Sequence, residues 1–250
     1  MFLQSLEIDP KTSVHEIVSR DYRTAEVFRK YEIEYCCGGR WPLETACMIK
    51  GVELEQLIGD LYQATRTIQV SSGTAFEKWN IDFLADYIIN VHHSYLRQAL
   101  PEIELALNRF VEEHHKKYPY LQVVENSFRQ LQKEMLPHME EEENLIFPYI
   151  RQIFRAWKNK DSYAGLLVRT LRKPVKNIMN HEHDILVGIV YKWRELLNDY
   201  KLPEKACVSH KVVLSRLKEL DNDIVQHMYL ENDILFPKAI QIEKELLQQS

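Results

Sequence analysis

Glycine and proline are scarce in this chain, with seven glycines and nine prolines among 250 residues. Average usage is about 7% for glycine and about 5% for proline, so the backbone holds few residues that interrupt regular structure. That scarcity favours long helices over a fold rich in turns. Cysteine is also rare, with four residues. So few cysteines exclude a disulfide-stapled secreted domain and make the reducing cytoplasm the expected location.

Long hydrophobic runs and an excess of positive charge are absent as well. No run approaches the roughly 18 apolar residues that a membrane-spanning helix requires. The first residues lack the basic and apolar stretches of a secretory signal. Lysine and arginine number 32 against 37 aspartates and glutamates, which gives a net charge of −5. We therefore expect neither a membrane nor nucleic acid among the binding partners.

What the chain does contain divides into two regions of different texture. Residues 1–66 hold short helical segments, one of them starting at a capping box formed by Ser13 and Glu16. Residues 67–80 begin small and polar, and we interpret them as a linker. Residues 81–250 carry long amphipathic patterns. The predicted fold class is therefore all-α, an up-down-up-down four-helix bundle preceded by a small N-terminal helical domain.

Each of the four long helices carries an apolar seam at the 3.5-residue spacing of packed helices, interrupted by a short polar patch. In the second helix the seam runs from Val124 through His138 and Glu142 to Leu145. Polar groups are costly to bury in an apolar core, so the polar positions of these seams are the candidate functional site. The candidate site residues are His93, His138, Glu142, His183, His227 and Glu231.

An internal repeat places these patches at one depth of the bundle. The segments that begin at His138 and His227 both read His-Met-x-x-Glu and then Phe-Pro at the same offset, 89 residues apart. This indicates a duplicated helical hairpin. In an antiparallel pair of helices, residues at the same depth are equally distant in sequence from the connecting loop. The sequence midpoints between the polar residues of successive helices fall in stretches rich in polar and helix-breaking residues, where these loops are expected. The patches are therefore expected to meet in one layer.

Two glutamates and four histidines in one apolar layer supply nitrogen and oxygen ligands and no thiolate. Such a set suits a first-row metal such as iron or manganese. A lone buried carboxylate is costly unless it is neutralised or bound to a cation. The i, i+4 spacing of each His–Glu pair puts both side chains on one helix face. We predict a non-haem di-iron centre with two bridging carboxylates, two histidines for each iron and open positions for small ligands.

Other polar residues of the bundle have simpler interpretations. The acidic residues expected on a solvated face are Glu140, Glu141 and Glu143. The histidines expected at the surface or in support of the site are His92, His115 and His181. His114 shares a seam with His93 but lies 21 residues further on. That is about 31 Å along a helix, so we expect His114 to lie outside the metal centre.

Adjacent Cys36 and Cys37, followed by two glycines, form a separate signal. Glycine allows a tight turn that leaves the sulfurs accessible. The pair could form a strained vicinal disulfide or offer a thiol to a partner, and a pair of buried structural thiols is the alternative. We assign Cys36 and Cys37 a redox or transfer role. Cys47 and Cys207 are expected to be buried and inert.

The segment VFRKYEIEYCCGG, the linker and the two His-Met-x-x-Glu boxes together resemble the "repair of iron centres" family. Its members join a small Cys-Cys domain to a hemerythrin-like di-iron domain, and the resemblance covers nearly the whole chain. It matches Cys36 and Cys37 to the family's cysteine pair, and His114 to a further family histidine. The ligands that it implies are the same six residues, with Glu142 and Glu231 as the bridging carboxylates.

What the resemblance implies is repair of iron–sulfur clusters damaged by nitric oxide (NO) or oxidants, with iron donated from a labile di-iron site. The partners would be damaged or apo iron–sulfur proteins, with NO or O₂ as small ligands. Two iron ions are the expected cofactors, and manganese or zinc are alternative occupants. The alternatives are a di-iron enzyme that reduces NO or O₂, and a hemerythrin-like O₂ or NO sensor. Enzymatic activity and oligomeric state stay open, with a homodimer through the small domain as one option.

Overall fold

The computed structural model describes residues 8–36, 39–65, 75–171 and 175–248. Side chains within 171–181 are outside the description. In the described ranges the regular elements are helices and no strand is formed. The all-α prediction is therefore confirmed. None of the described helices is both long enough and apolar enough to cross a membrane.

Short helices make up the N-terminal part of the described chain. They are α1 (Val14–Arg20), α2 (Thr24–Lys30), α3 (Leu43–Lys50) and α4 (Leu54–Ala64). Helix α1 starts where the Ser13 hydroxyl accepts the backbone N–H of Glu16 at 3.2 Å, which is one half of the expected capping box. Helix α3 ends at Gly51, whose φ of 66° is a left-handed conformation that glycine adopts without strain.

Longer helices follow and form the bundle. They are α5 (Ile81–Tyr87), α6 (Ser94–His114), α7 (Tyr120–Glu141), α8 (Phe147–Asn159), α9 (Ala164–Leu171), α10 (Val175–Leu196), α11 (Val208–Tyr229) and α12 (Phe236–Gln248). Helix α6 packs against α7 and α11, and α10 packs against the same two helices. These contacts close a ring of four helices in the up-down-up-down order that the sequence predicts.

Three of the four rods of the bundle widen into a turn of π-helix. These turns are Ile88–His93 between α5 and α6, Glu142–Ile146 between α7 and α8, and Leu230–Leu235 between α11 and α12. Pro148 and Pro237 follow the last two turns closely. A proline ring clashes with the carbonyl four residues earlier, and a wider turn relieves that clash. The Phe-Pro of the repeat therefore marks a local widening of the helix.

Two apolar cores lie on either side of the layer that holds the π-turns. One core fills the ring of α6, α7, α10 and α11 and includes Phe110, Leu131 and Trp193. The other lies among α5, α8, α9 and α12 and includes Phe147 and Ile150. The polar layer is thus sandwiched between apolar regions and removed from bulk water.

The π-turn of α7–α8 changes the predicted seam at one position. Leu145 is exposed, whereas its neighbour Ile146 is fully buried. A π-turn takes in an extra residue, which rotates the following side chains by about 100° relative to a regular α-helix. The prediction from a strict 3.5-residue spacing that Leu145 faces the core is therefore wrong.

The N-terminal helices rest on one end of the bundle. Their apolar core, which includes Phe28, extends onto Val208 and Val212 at the start of α11. The Tyr22 hydroxyl donates to the Glu219 carboxylate across the same contact at 3.0 Å. The N-terminal part therefore packs on the end of the bundle at which α11 begins.

The expected linker, 67–80, lies partly outside the described residues. Its last part forms a short 3₁₀ turn at Phe76–Lys78. The ring of Trp79 packs against Phe76 at 4.8 Å and against Tyr87 of α5 at 5.2 Å, between centroids. This part of the segment is therefore packed onto the bundle.

Two leucines of α7 offer a matched test of the packing. Leu131 is fully buried, and Leu136, five residues later, is exposed. We expect Leu131→Ala to lower the free energy of unfolding by about 2–5 kcal/mol because it leaves a cavity. Leu136→Ala should change it by less than about 0.5 kcal/mol. Chemical denaturation followed by circular dichroism measures both, and equal effects would contradict the placement of this helix.

Candidate metal centre

The polar layer holds all six candidate residues of the sequence analysis. Five of these residues lie in the three π-turns or in the helices next to those turns, and the sixth, His183, lies in α10. Each side chain is no more than 2% exposed. The residues brought together are His93, His138, Glu142, His183, His227 and Glu231.

The six residues form two groups that share both glutamates. In one group, ligand atoms of His93 and His227 lie within 4.8 Å of each other and of both carboxylates. In the other group, His138 and His183 take the place of the first two histidines. The Nε2 atoms face each other within each group, at 3.2 Å for His93 and His227 and at 3.1 Å for His138 and His183. Two adjacent cation sites with common carboxylates follow from this arrangement.

Each glutamate reaches imidazoles of both groups. The Oε2 atom of Glu142 lies 3.3 Å from the Nε2 of His93 and 3.5 Å from the Nε2 of His138. The Oε1 atom of Glu231 lies 2.8 Å from the Nε2 of His227, and its Oε2 lies 3.5 Å from the Nε2 of His183. Both carboxylates therefore lie between the two groups, in the position that a bridging ligand occupies.

The chemistry of these donors fits a pair of cations. Both oxygens of Glu142 and the Oε2 of Glu231 are buried and have no hydrogen-bond partner among the described residues. Burial is the main cause that raises the pKa of both carboxyl groups well above the usual range, and the charge of Glu231 adds to the effect on Glu142. Buried carboxylates without partners are costly. A cation would supply the missing interaction.

Three of the four histidines, namely His138, His183 and His227, are held in the neutral form that binds metals. Burial lowers the pKa of His138 well below its usual value, lowers that of His183 to about 4, and lowers that of His227 to about 3. A neutral imidazole keeps a lone pair on one nitrogen, and this is the atom that coordinates a metal. A cation can therefore bind to these three imidazoles without first displacing a proton from them.

Two of the four imidazoles are oriented by an outer carboxylate. The Nδ1 of His93 lies 2.7 Å from Glu143 and the Nδ1 of His138 lies 2.8 Å from Glu182. Such outer carboxylates fix the ring, raise its basicity and direct Nε2 inward.

The other two histidines have weaker support. The Nδ1 of His183 lies 2.9 Å from the amide oxygen of Asn232, a neutral acceptor. The Nδ1 of His227 has no hydrogen-bond partner in the described chain. The His93–His227 group therefore contains the only one of the four rings without an outer partner among these residues.

Sequence reasoning missed the residues that orient the histidines. Glu143 was expected on a solvated face, and this is wrong because it contacts His93 and also Arg97, at 2.9 Å. The repeat held the missing signal. Glu143 and Asn232 occupy the same repeat position, directly after Glu142 and Glu231, and each contacts a histidine of another helix.

The flanking histidines divide into different environments. His92 is buried, its Nδ1 lies 2.9 Å from Asp223, and its ring stacks on His227 with centroids 5.6 Å apart. His92 is thus a supporting group. His115 is exposed, and the side chain of His181 lies outside the described part of the chain.

His114 and the cysteines lie away from this layer. His114 is at the far end of α6, where its Nε2 is 3.7 Å from the sulfur of Cys207. Cys36 is half-buried, and Cys37 lies outside the described residues. Cys47 is buried as expected, but Cys207 is half-buried and contacts Cys36. The expectation that Cys207 is a buried, inert thiol is therefore wrong about its burial.

Comparison with known protein families agrees with this architecture. Residues 10–65 match ScdA_N, a domain of unknown function. Residues 84–239, more than half of the chain, match the hemerythrin HHE cation-binding domain. The chain belongs to the hemerythrin HHE family. The residues that this hemerythrin-family protein brings together in its polar layer all lie within the matched region.

Curated relatives match almost the full length of this hemerythrin-family chain. The iron-sulfur cluster repair protein ScdA of Staphylococcus epidermidis is 26% identical over 228 residues, 90% of this chain and 96% of its own length. The iron-sulfur cluster repair protein YtfE of Pectobacterium atrosepticum is 28% identical over 231 residues, 92% of this chain and 97% of its own. These matches confirm the family resemblance that the cysteine segment and the repeated boxes indicate.

Metal binding by this hemerythrin-family protein should depend on pH through the two carboxyl groups. Their raised pKa means that protons must leave before a cation binds, so apparent affinity should rise as pH rises. The lowered pKa values of His138, His183 and His227 keep those three groups neutral above about pH 5. We expect Mn²⁺ affinity to rise by up to about tenfold per pH unit for each displaced proton between pH 5.5 and 8. Calorimetric titration measures this, and a flat profile would contradict it.

Proposed function

We propose that this protein repairs damaged iron–sulfur clusters by supplying iron from a buried two-iron centre. The observation that carries the proposal is the pair of His₂ groups that share two buried carboxylates, of which both oxygens of Glu142 and the Oε2 of Glu231 have no hydrogen-bond partner in the described chain. The printed names of the relatives, which match about nine-tenths of the chain, support the same activity. The proposed partners are damaged or apo iron–sulfur proteins, with NO or O₂ as small ligands, and the proposed location is the cytoplasm.

In this proposal His93 and His227 would hold one iron, His138 and His183 would hold the other, and Glu142 and Glu231 would serve both. Ferrous ions bound there would supply open coordination positions for NO or O₂ and would be the iron that is delivered. Iron in clusters is held by thiolates, whereas this layer offers only nitrogen and oxygen donors. Transfer toward a cysteine-lined acceptor is therefore downhill in ligand preference.

The two carboxyl groups give the centre a way to release a cation without leaving a charge behind. Burial raises the pKa of Glu142 and Glu231 in the metal-free protein. Each carboxyl group therefore takes up a proton at a carboxylate oxygen when the cation leaves, and the buried layer stays close to neutral. This exchange of a proton for a cation makes release compatible with the surrounding apolar cores.

Variants of the shared carboxylates test the proposal directly. Glu142→Gln and Glu231→Gln should each lower bound iron at both positions, because each side chain serves both groups. The loss of affinity should exceed the roughly 10–100-fold that removal of an outer partner costs. Iron transfer to an apo iron–sulfur protein should fall in proportion. Anaerobic iron analysis and recovery of the acceptor's cluster absorbance measure the two effects, with Glu140→Gln, an exposed position of α7, as the matched control.

A stability measurement separates loss of metal from loss of fold. A glutamine at position 142 no longer places an ionisable group in the apolar layer. Metal-free Glu142→Gln should therefore melt at a higher temperature than the metal-free parent protein. Full transfer activity in both carboxylate variants would overturn iron donation. Steady turnover of NO with a reductant, without iron loss, would favour the di-iron reductase instead.

The unequal support of the histidines predicts unequal release of the two ions. The His138–His183 group has a carboxylate and an amide behind its rings, whereas the ring of His227 has no outer partner in the described chain. We expect a chelator to remove iron in two phases that differ by about 10–100-fold in rate. Stopped-flow absorbance of the chelate measures both phases.

Removal of one outer carboxylate should merge these phases. Glu182→Gln replaces the carboxylate partner of His138 by a neutral amide, the weaker kind of support that His183 has, and should speed the slow phase by up to about tenfold. Glu140→Gln should change neither rate. A single phase in the parent protein, or a slow phase that Glu182→Gln leaves untouched, would show that outer support does not set the order of release.

A further inference from the structure

A group of two thiols and one imidazole lies at the end of the bundle where α6 ends and α11 begins, away from the polar layer that contains the candidate metal ligands. We call Cys36, Cys207 and His114 the thiol site. Cys36 belongs to the N-terminal part, whereas Cys207 precedes α11 and His114 ends α6. The 21 residues from His93 to His114 place this site about 31 Å from the metal layer, so its chemistry is separate from that of the metal centre.

Cys207 caps the N-terminus of α11, a helix of 22 residues. The backbone N–H groups of Ser209 and His210 lie near its sulfur and act to lower the pKa of the thiol, although the side chain makes no capping hydrogen bond. These N–H groups belong to the first helical turn, and the positive end of the helix dipole lies there. The Cys207 sulfur therefore lies at the positive end of α11.

Cys36 and Cys207 are hydrogen-bonded to each other. This bond is the largest cause that raises the pKa of the Cys207 thiol, and burial is the second. The Cys207 thiol therefore holds its proton more firmly than a free thiol does. Both sulfurs are partly buried, so a small molecule can reach the pair. We assign the first attack to Cys36, which reacts as a thiolate, the nucleophilic form.

His114 is positioned to accept the proton that Cys207 keeps. Its Nδ1 donates to the carbonyl of Phe110 at 3.3 Å, which leaves the Nε2 lone pair directed at Cys207, 3.7 Å away. The ring is stacked on Phe110 with centroids 4.5 Å apart. A proton acceptor therefore lies beside the second thiol.

The neighbouring cysteine is a poorer partner for Cys36. Cα atoms of adjacent residues are about 3.8 Å apart, shorter than the 4.4–6.8 Å usual for a disulfide. The turn is also tight, since a Cβ on Gly39 would lie 2.6 Å from the Tyr35 carbonyl oxygen. Cys36 is instead hydrogen-bonded to Cys207, which lies at the start of α11.

We infer that Cys36 and Cys207 form a redox dithiol that closes to a disulfide between the N-terminal part and the bundle, with a low-molecular-mass disulfide as oxidant. The Cys36 thiolate attacks the oxidant, which breaks its S–S bond, releases one thiolate and leaves a mixed disulfide on Cys36. The Cys207 sulfur then attacks Cys36, gives its proton to His114, and expels the second thiolate. The protein's two thiols lose two electrons, and the oxidant is reduced to two thiols.

This bond would fasten the N-terminal helices to the end of the bundle. It would close a loop of about 170 residues, and long loops give the largest effect on the unfolded chain. Reduction would release the two parts to move against each other. The inference makes no use of the metal centre and stands or falls separately from the proposed function.

Peptide mapping by mass spectrometry, without reduction, tests the inference on the full-length protein. Oxidised glutathione is the probe, and the Cys36-containing peptide should become linked to the Cys207-containing peptide. Cys37→Ser and Cys47→Ser should leave the link intact. Cys207→Ser should accumulate glutathione on Cys36, and His114→Gln should slow closure by about tenfold at neutral pH. The oxidised protein should melt about 5–15 °C higher than the reduced protein.

The same map contains the outcomes that would overturn the inference. A dominant bond between Cys36 and Cys37 in the parent protein would do so. So would glutathione left on Cys36 while Cys207 is unmodified, since closure would then not occur. Equal closure rates with and without the His114 imidazole would remove that residue from the mechanism and leave the dithiol itself standing.

Discussion

Much of this molecule is arranged around two carboxylates that have no exposed surface. Glu142 and Glu231 lie between two apolar cores, where water cannot solvate a charge. Each therefore needs a proton or a cation, and the raised pKa of both groups expresses the first option. The four imidazoles around them, with the pKa of three lowered by burial, favour the second. In the proposed function, the layer would exchange these protons for cations.

The helices carry this layer without breaking the bundle. π-Turns occur at or beside the candidate ligands in three rods, and each adds a residue where a side chain must be re-aimed. Apolar packing on both sides keeps the rods in register. Outer partners such as Glu143 and Glu182 then set the rotation of individual rings. Fold and site are therefore linked through one π-turn in each of three rods.

The two ends of α6 hold different chemistry. His93, just before its start, belongs to the metal layer of nitrogen and oxygen donors, and His114 at its end lies beside sulfur. The helix keeps these groups about 31 Å apart. This distance keeps the thiols near His114 out of reach of the candidate metal ligands near His93. The N-terminal helices complete the sulfur end, because Cys36 belongs to them.

The sequence by itself determined the helical class, the bundle order, the residues of the polar layer and the exclusion of His114, because helical periodicity and the repeat fix which residues share a face and a depth. Only the tertiary structure decided the outer partners of the histidines, the exposure of Leu145 and the pairing of Cys36 with Cys207. These depend on local widening of helices and on contacts between distant segments. Regular periodicity describes neither, because it assumes an unbroken α-helix and says nothing about how separate parts of the chain pack.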